Sequence, residues 1–132
     1  MKLASCLIVM LCLIFEPAQA QKVEDLRANI LNVYTDLPNI SGWWTAPKGV
    51  HKMTIYVDAE NTETVIFWLI PTGTQTWGQR ELIGYDKDGS DGWSLTWDFG
   101  NRSLHDHIHV QALGSDSASQ SNASINIATE IP

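Results

Sequence analysis

A chain of 132 residues with 44% hydrophobic side chains can fill one hydrophobic core and hardly two. Its formal charge of −7 argues against a nucleic-acid backbone or an anionic membrane surface as partner, and leaves neutral and cationic partners open. Cys6 and Cys12 are the only cysteines, so beyond residue 20 the chain has no disulfide and no thiolate metal ligand.

The first twenty residues read as an export signal. Lys2 is the positive start, Leu7 to Phe15 an almost unbroken apolar run, and Ala18-Gln19-Ala20 a small-x-small cleavage site. The run is too short for a stable bilayer anchor, so no membrane span is expected after cleavage and the location is extracytoplasmic. Cleavage after Ala20 leaves Gln21 to Pro132, and losing Lys2 and Glu16 together leaves the charge at −7.

Residues 21–36 form a lead. Val23, Leu26, Ile30 and Leu31 suit one helix face; Ile30, Asn32 and Tyr34 suit a strand. The expectation is a flexible lead followed by a first strand near Leu31 to Thr35. Leu37-Pro38 and Ala46-Pro47-Lys48-Gly49 interrupt the next segment, which is loop or edge strand.

From residue 50 the period is two. Met53, Ile55, Val57 and Ala59 alternate with Lys52, Thr54, Tyr56 and Asp58. Val65 to Ile70 is a short apolar run rich in β-branched and aromatic residues, bounded by Asn61 and by Pro71-Thr72-Gly73, and reads as a strand. Leu82 to Tyr85 is a short strand, and Asp86 to Gly92 a dense turn. Trp93, Leu95, Trp97 and Phe99 alternate with polar residues, as do Ile108, Val110 and Ala112. Ser115 to Asn122 reads as a polar turn, and Ile125 and Ile127 mark a last strand. The inward set is Ile55, Val57, Phe67, Leu69, Leu95, Trp97, Ile108, Val110, Ile125 and Ile127. Short strands joined by turns, with no long helical period, indicate a sandwich or barrel.

The order of these signals resembles bacterial immunoglobulin-like (Big-type) domains of extracellular proteins, over about Leu37 to Thr129. The resemblance is carried by Met53 to Ala59 followed by Val65 to Leu69, then Ile83-Gly84-Tyr85-Asp86, then Trp93 to Asp98, then His107 to Gly114, and finally Ala123 to Thr129. One departure is the longer Pro71 to Arg80 segment, where the family carries a short "DG" hairpin. The resemblance implies an all-β, immunoglobulin-like antiparallel β-sandwich of about seven strands over residues 37–132. It supplies no function, because that fold hosts many roles. It also implies that Thr64–Ile70 pairs with His107–Leu113, which sets the outer row Ile66, Trp68 and Ile70 beside histidines. That row is either an exposed interface or is covered by Val23 to Tyr34.

His105, His107 and His109 recur at period two, so they share one side of a strand. Imidazoles at that spacing can hold zinc or copper, though a tetrahedral site needs convergence from another strand, and His51 is the only further histidine. The face can equally be a solvated or covered strand surface. Asp86, Asp88 and Asp91 form a hard-oxygen cluster of the kind calcium uses, but lack the rest of a twelve-residue calcium loop; the alternative is a turn that these residues bend and cap. Six tryptophans stand out, of which Trp93 and Trp97 alternate inward, Trp68 faces outward, and Trp43, Trp44 and Trp77 fall in loop-like segments. Outward aromatic rings can stack on sugars or anchor a protein. The sequons at Asn39, Asn101 and Asn122 read as turns in a bacterial protein.

No nucleophile elbow, paired-carboxylate site or metalloprotease motif is present. The leading expectation is therefore a secreted binding module with no reaction and no cofactor of its own. Its partner is a protein or a cell-surface polysaccharide, and its candidate ligand residues are Trp43, Trp44, Trp68 and Trp77. The alternative is a metal-binding extracytoplasmic domain using His105, His107 and His109.

Overall fold

A computed structural model describes residues 25–130; the signal-like segment 1–20 lies outside the described residues. Among them there are nine strands and no α-helix. The strands are β1 (Asn29–Thr35), β2 (Asn39–Ile40), β3 (Trp43–Ala46), β4 (Lys52–Glu60), β5 (Thr62–Pro71), β6 (Glu81–Asp86), β7 (Trp93–Asp98), β8 (His105–Gly114) and β9 (Gln120–Thr129), with one 3₁₀ turn at Trp77–Gln79. No helix among the described residues is long and apolar enough to cross a membrane.

Two sheets form: β1-β4-β7, and β2-β3-β9-β8-β5-β6. Every pairing is antiparallel except β3 with β9, which run parallel. The sheets share one core. Met53, Ile55, Val57 and Trp97 come from the three-stranded sheet, and Val65, Phe67, Leu69, Ile108, Val110, Ala112 and Ile127 from the other. The ten residues expected to point inward are all buried or packed against this cluster, Leu95 and Ile125 only partly so. Each large apolar side chain buried this way contributes on the order of 1.5–3 kcal/mol, which must hold a domain with no disulfide.

Three expectations need correction. There are nine strands where about seven were expected: the segment read as loop or edge strand forms two, β2 at the sheet edge and β3 between β2 and β9. The parallel register of β3 with β9 pairs Trp43 with Asn126 and Trp44 with Ile127, and gives its backbone a ladder that the flanking prolines concealed. A two-residue hairpin, Ser41-Gly42, precedes it with φ of 52° and 90°, the conformation in which such a tight turn matches strand twist. Of the two alternatives for the row Ile66, Trp68 and Ile70, cover by the lead does not hold for its described residues: Asn29–Thr35 form β1, which pairs with β4 in the opposite sheet. Ser119 and Ser121 also accept hydrogen bonds from the amides of Ala28 and Ile30, which draws the start of β1 toward β9. Finally, β9 begins at Gln120, so Asn122 lies on a strand. The turn before it is held by Asp116, which accepts from the Ala118 and Ser119 amides.

Candidate functional site

Strand alternation builds one outward face on the six-stranded sheet. On β8, Ile108, Val110 and Ala112 fill the core, so His105, His107, His109, Gln111 and Leu113 turn outward. Register then decides their neighbours. On one side β5 sets Ile70 beside His107, Trp68 beside His109 and Ile66 beside Gln111. On the other, β9 sets Asn126 beside His107, Ser124 beside His109 and Asn122 beside Gln111. Beyond these, β3 brings Trp43 next to Asn126, while β6 brings Leu82 next to Trp68 and Tyr85 next to Ile66.

The face is knit by polar and ring contacts. Trp43 stacks on His105 with centroids 4.2 Å apart, and its ring also lies 6.1 Å from His107. The Asn126 amide nitrogen points to the Gly42 carbonyl at 3.4 Å, which turns its oxygen toward His107. His107 Nδ1–H donates to that oxygen at 2.7 Å. His109 uses both ring nitrogens. Its Nε2–H donates to Asn122 Oδ1 at 3.1 Å, and in the neutral ring the Ser124 hydroxyl donates to Nδ1 at 3.0 Å. Trp68 Nε1 donates to Gln111 Oε1 at 2.6 Å.

The Pro71 to Arg80 segment folds back over this face. Trp77 sits edge-on to Trp68 at 6.2 Å and to His109 at 4.9 Å. The Arg80 guanidinium lies 4.5 Å from the Trp77 ring and 5.0 Å from the Trp68 ring, and its Nη1 donates to the Trp77 carbonyl at 3.1 Å. Beneath this cover Trp68 is half-buried and Ile70 is buried, so the expected exposed apolar row is reduced to a shallow groove lined by Ile66, Trp68, Leu82, Tyr85 and Leu113.

Of the four candidate tryptophans, Trp43, Trp68 and Trp77 come together on this face. Trp44 does not: β3 alternation turns it inward, where it packs against the core. The three histidines share the face, but a single extended strand spaces them in a line about 7 Å apart. Among the described residues no three His, Cys, Asp or Glu side chains are placed to hold a metal ion. His51 is remote, with Nδ1–H donating to the Gly100 carbonyl at 2.9 Å, in a cleft at one end of the sheets lined also by Lys48, Phe99, Arg102 and Glu130.

The acidic turn is held by its own backbone. Asp86 accepts from the Asp88 and Ser94 amides, and Asp88 accepts from the Ser90 hydroxyl at 2.6 Å and the Ser90 amide at 3.0 Å. The Ser90 hydroxyl and then its amide hold the Asp88 carboxyl below the usual carboxylate range. Asp86 and Asp88 are therefore placed as turn builders, and Asp91 is exposed in the same connection.

Sequence reasoning missed Arg80, Gln111, Asn122, Ser124 and Asn126. The three β9 residues carried a readable signal, polar positions at period two opposite Ala123, Ile125 and Ile127. Arg80 carried none, because its place depends on how a ten-residue connection packs. Comparison with protein-family models, with curated proteins and with solved structures finds no match for this chain.

Proposed function

We propose that this chain is an exported immunoglobulin-like module that binds an extracellular partner, a protein or a cell-surface polysaccharide, and catalyses no reaction of its own. Binding runs through the outward face of the six-stranded sheet. The observation that carries this reading is the gathering of Trp43, Trp68 and Trp77, from three separate segments, onto one face with amide and hydroxyl groups between them. Rings give contact area at low entropic cost, and the neighbouring polar groups give orientation.

The immunoglobulin-like part of the reading draws support from strand order. The support is that β1, β4 and β7 share one sheet while β5, β8 and β9 are adjacent in the other, as the reading requires of strands A, B, E and C, F, G. Export draws support from the Leu7 to Phe15 run and the Ala18-Gln19-Ala20 site.

The test is a glycan array and a panel of immobilised extracellular proteins, probed with residues 21–132 of the wild type and of a Trp43→Ala/Trp77→Ala variant. The wild type is expected to retain a ligand that the variant loses by about tenfold or more, as for central aromatic anchors. A ligand held equally by both proteins refutes the assignment of this face.

A further inference from the structure

The net charge of −7 hides an uneven distribution. The outward positions of the face, in register from Trp43 across β9, β8 and β5 to Tyr85, include no aspartate or glutamate. The carboxylates nearest in sequence, Glu63, Glu81, Asp86 and Asp106, sit toward strand ends. Glu81 is also taken, by Arg102 at 3.1 Å.

The cations behave in the opposite way. Of the three arginines among the described residues, Arg27 pairs with Asp25 and Arg102 with Glu81, while Arg80 forms no ion pair. It is nevertheless held in place, between the Trp77 and Trp68 rings and against the Trp77 carbonyl. A guanidinium fixed through one Nη still presents its remaining N–H donors as a fork suited to a carboxylate. Lys87 adds a second positive charge at the rim, 5.4 Å from the Tyr85 ring.

Resting on the binding-module reading, we infer that this face takes an acidic polysaccharide, with Arg80 receiving a uronate carboxylate and Trp77 packing against the sugar ring. Trp77 is 43% exposed beside Arg80, so ring and charge are offered together. The surrounding Gln111, Asn122, Ser124 and Asn126 supply amide and hydroxyl partners for sugar hydroxyls. One fixed guanidinium meets a planar carboxylate through two parallel N–H donors.

The experiment uses residues 21–132 and isothermal titration with four probes: an oligogalacturonate, its full methyl ester, a cello-oligosaccharide of matched length, and an oligothymidylate. The free acid is expected to bind about tenfold or more tighter than its ester, as befits one charge-assisted hydrogen-bonded pair. Arg80→Gln is expected to bring the acid to the level of the ester, with an unchanged circular-dichroism spectrum. Trp77→Ala is expected to weaken acid and ester alike. Equal binding of acid and ester overturns the inference; if Trp77→Ala still abolishes both, the binding face itself stands. Undiminished acid binding by Arg80→Gln overturns it, and so does oligothymidylate binding as tightly as the uronate. No binding of any probe also overturns it, and the protein panel then decides the binding reading separately.

Discussion

Gly84 of β6 packs directly against Leu95 of β7, across the two sheets. A methyl group built there would lie 2.6 Å from Leu95 Cδ1 and 2.8 Å from Cδ2. Leu95 belongs to β7 of the opposite sheet and is partly buried against the core. Gly84 does not occupy the left-handed region, so space and not backbone conformation demands a glycine. Next to it β6 carries an extra residue, since Phe67 pairs with Gly84 but Trp68 with Leu82, which directs Leu82 and Tyr85 to the outer face. Inserting a methyl group into occupied core space costs about 1–3 kcal/mol; the contacted atoms are the rotatable end of a leucine, so Gly84→Ala should fall near about 1–2 kcal/mol. Leu95→Ala alone should cost about 2 kcal/mol, at the lower end for leucine because the site is only partly buried. In the double variant the new methyl enters the space the leucine vacates. The two costs should therefore fall short of additivity by about 1 kcal/mol or more. Urea unfolding of the four proteins, compared at constant m-value, measures this. Additivity within about 0.5 kcal/mol would show that Gly84 and Leu95 do not compete for the same volume, and would refute this account of the sheet contact.

Two further outcomes follow from turns. At the β2–β3 hairpin Ser41 and Gly42 both have positive φ, and nothing lies within 4 Å of a Cβ at Gly42. Gly42→Ala should therefore cost about 1 kcal/mol from backbone strain alone, while Ser41→Asn should stabilise by several tenths of a kcal/mol, as Asn-Gly suits this turn; thermal unfolding reads both signs. Asp116 has its carboxyl held below the usual range by the Ser119 amide, then by the Ala118 amide and the Ser119 hydroxyl. Because the folded-state value is the lower one, its contribution is present above the unfolded carboxylate pKa and is lost as pH falls through the folded value. The melting-temperature difference between wild type and Asp116→Ala should be largest above the usual carboxylate range and shrink as the pH falls below it; a difference that grows on acidification contradicts this.

Much of the two-layer architecture could be read from residue order alone, because side-chain alternation is a property of each strand by itself. Met53, Ile55 and Val57 on β4, or Ile108 and Val110 on β8, declare a wet side and a dry side wherever the strand is placed. The same alternation put Trp68 and the three histidines outward. It failed at Trp43 and Trp44, where a four-residue strand between breakers is too short to show a period and is kept by its ladder to β9, some eighty residues later in the chain. It was also silent on the segment from Pro71 to Arg80, whose course has no periodic signature.

What residue order settles here is which side of each strand is dry, since burial of apolar groups acts residue by residue. Tertiary structure alone decided which segments are neighbours: that β1 joins β4 in the opposite sheet, that β3 lies along β9, and that Arg80 rests between Trp68 and Trp77. The outer row is thus covered not by β1 but by the segment carrying Trp77 and Arg80, which leaves Trp68 half-buried and Ile70 buried. Those choices depend on pairing between distant segments, where many registers satisfy one strand and only their joint burial selects among them.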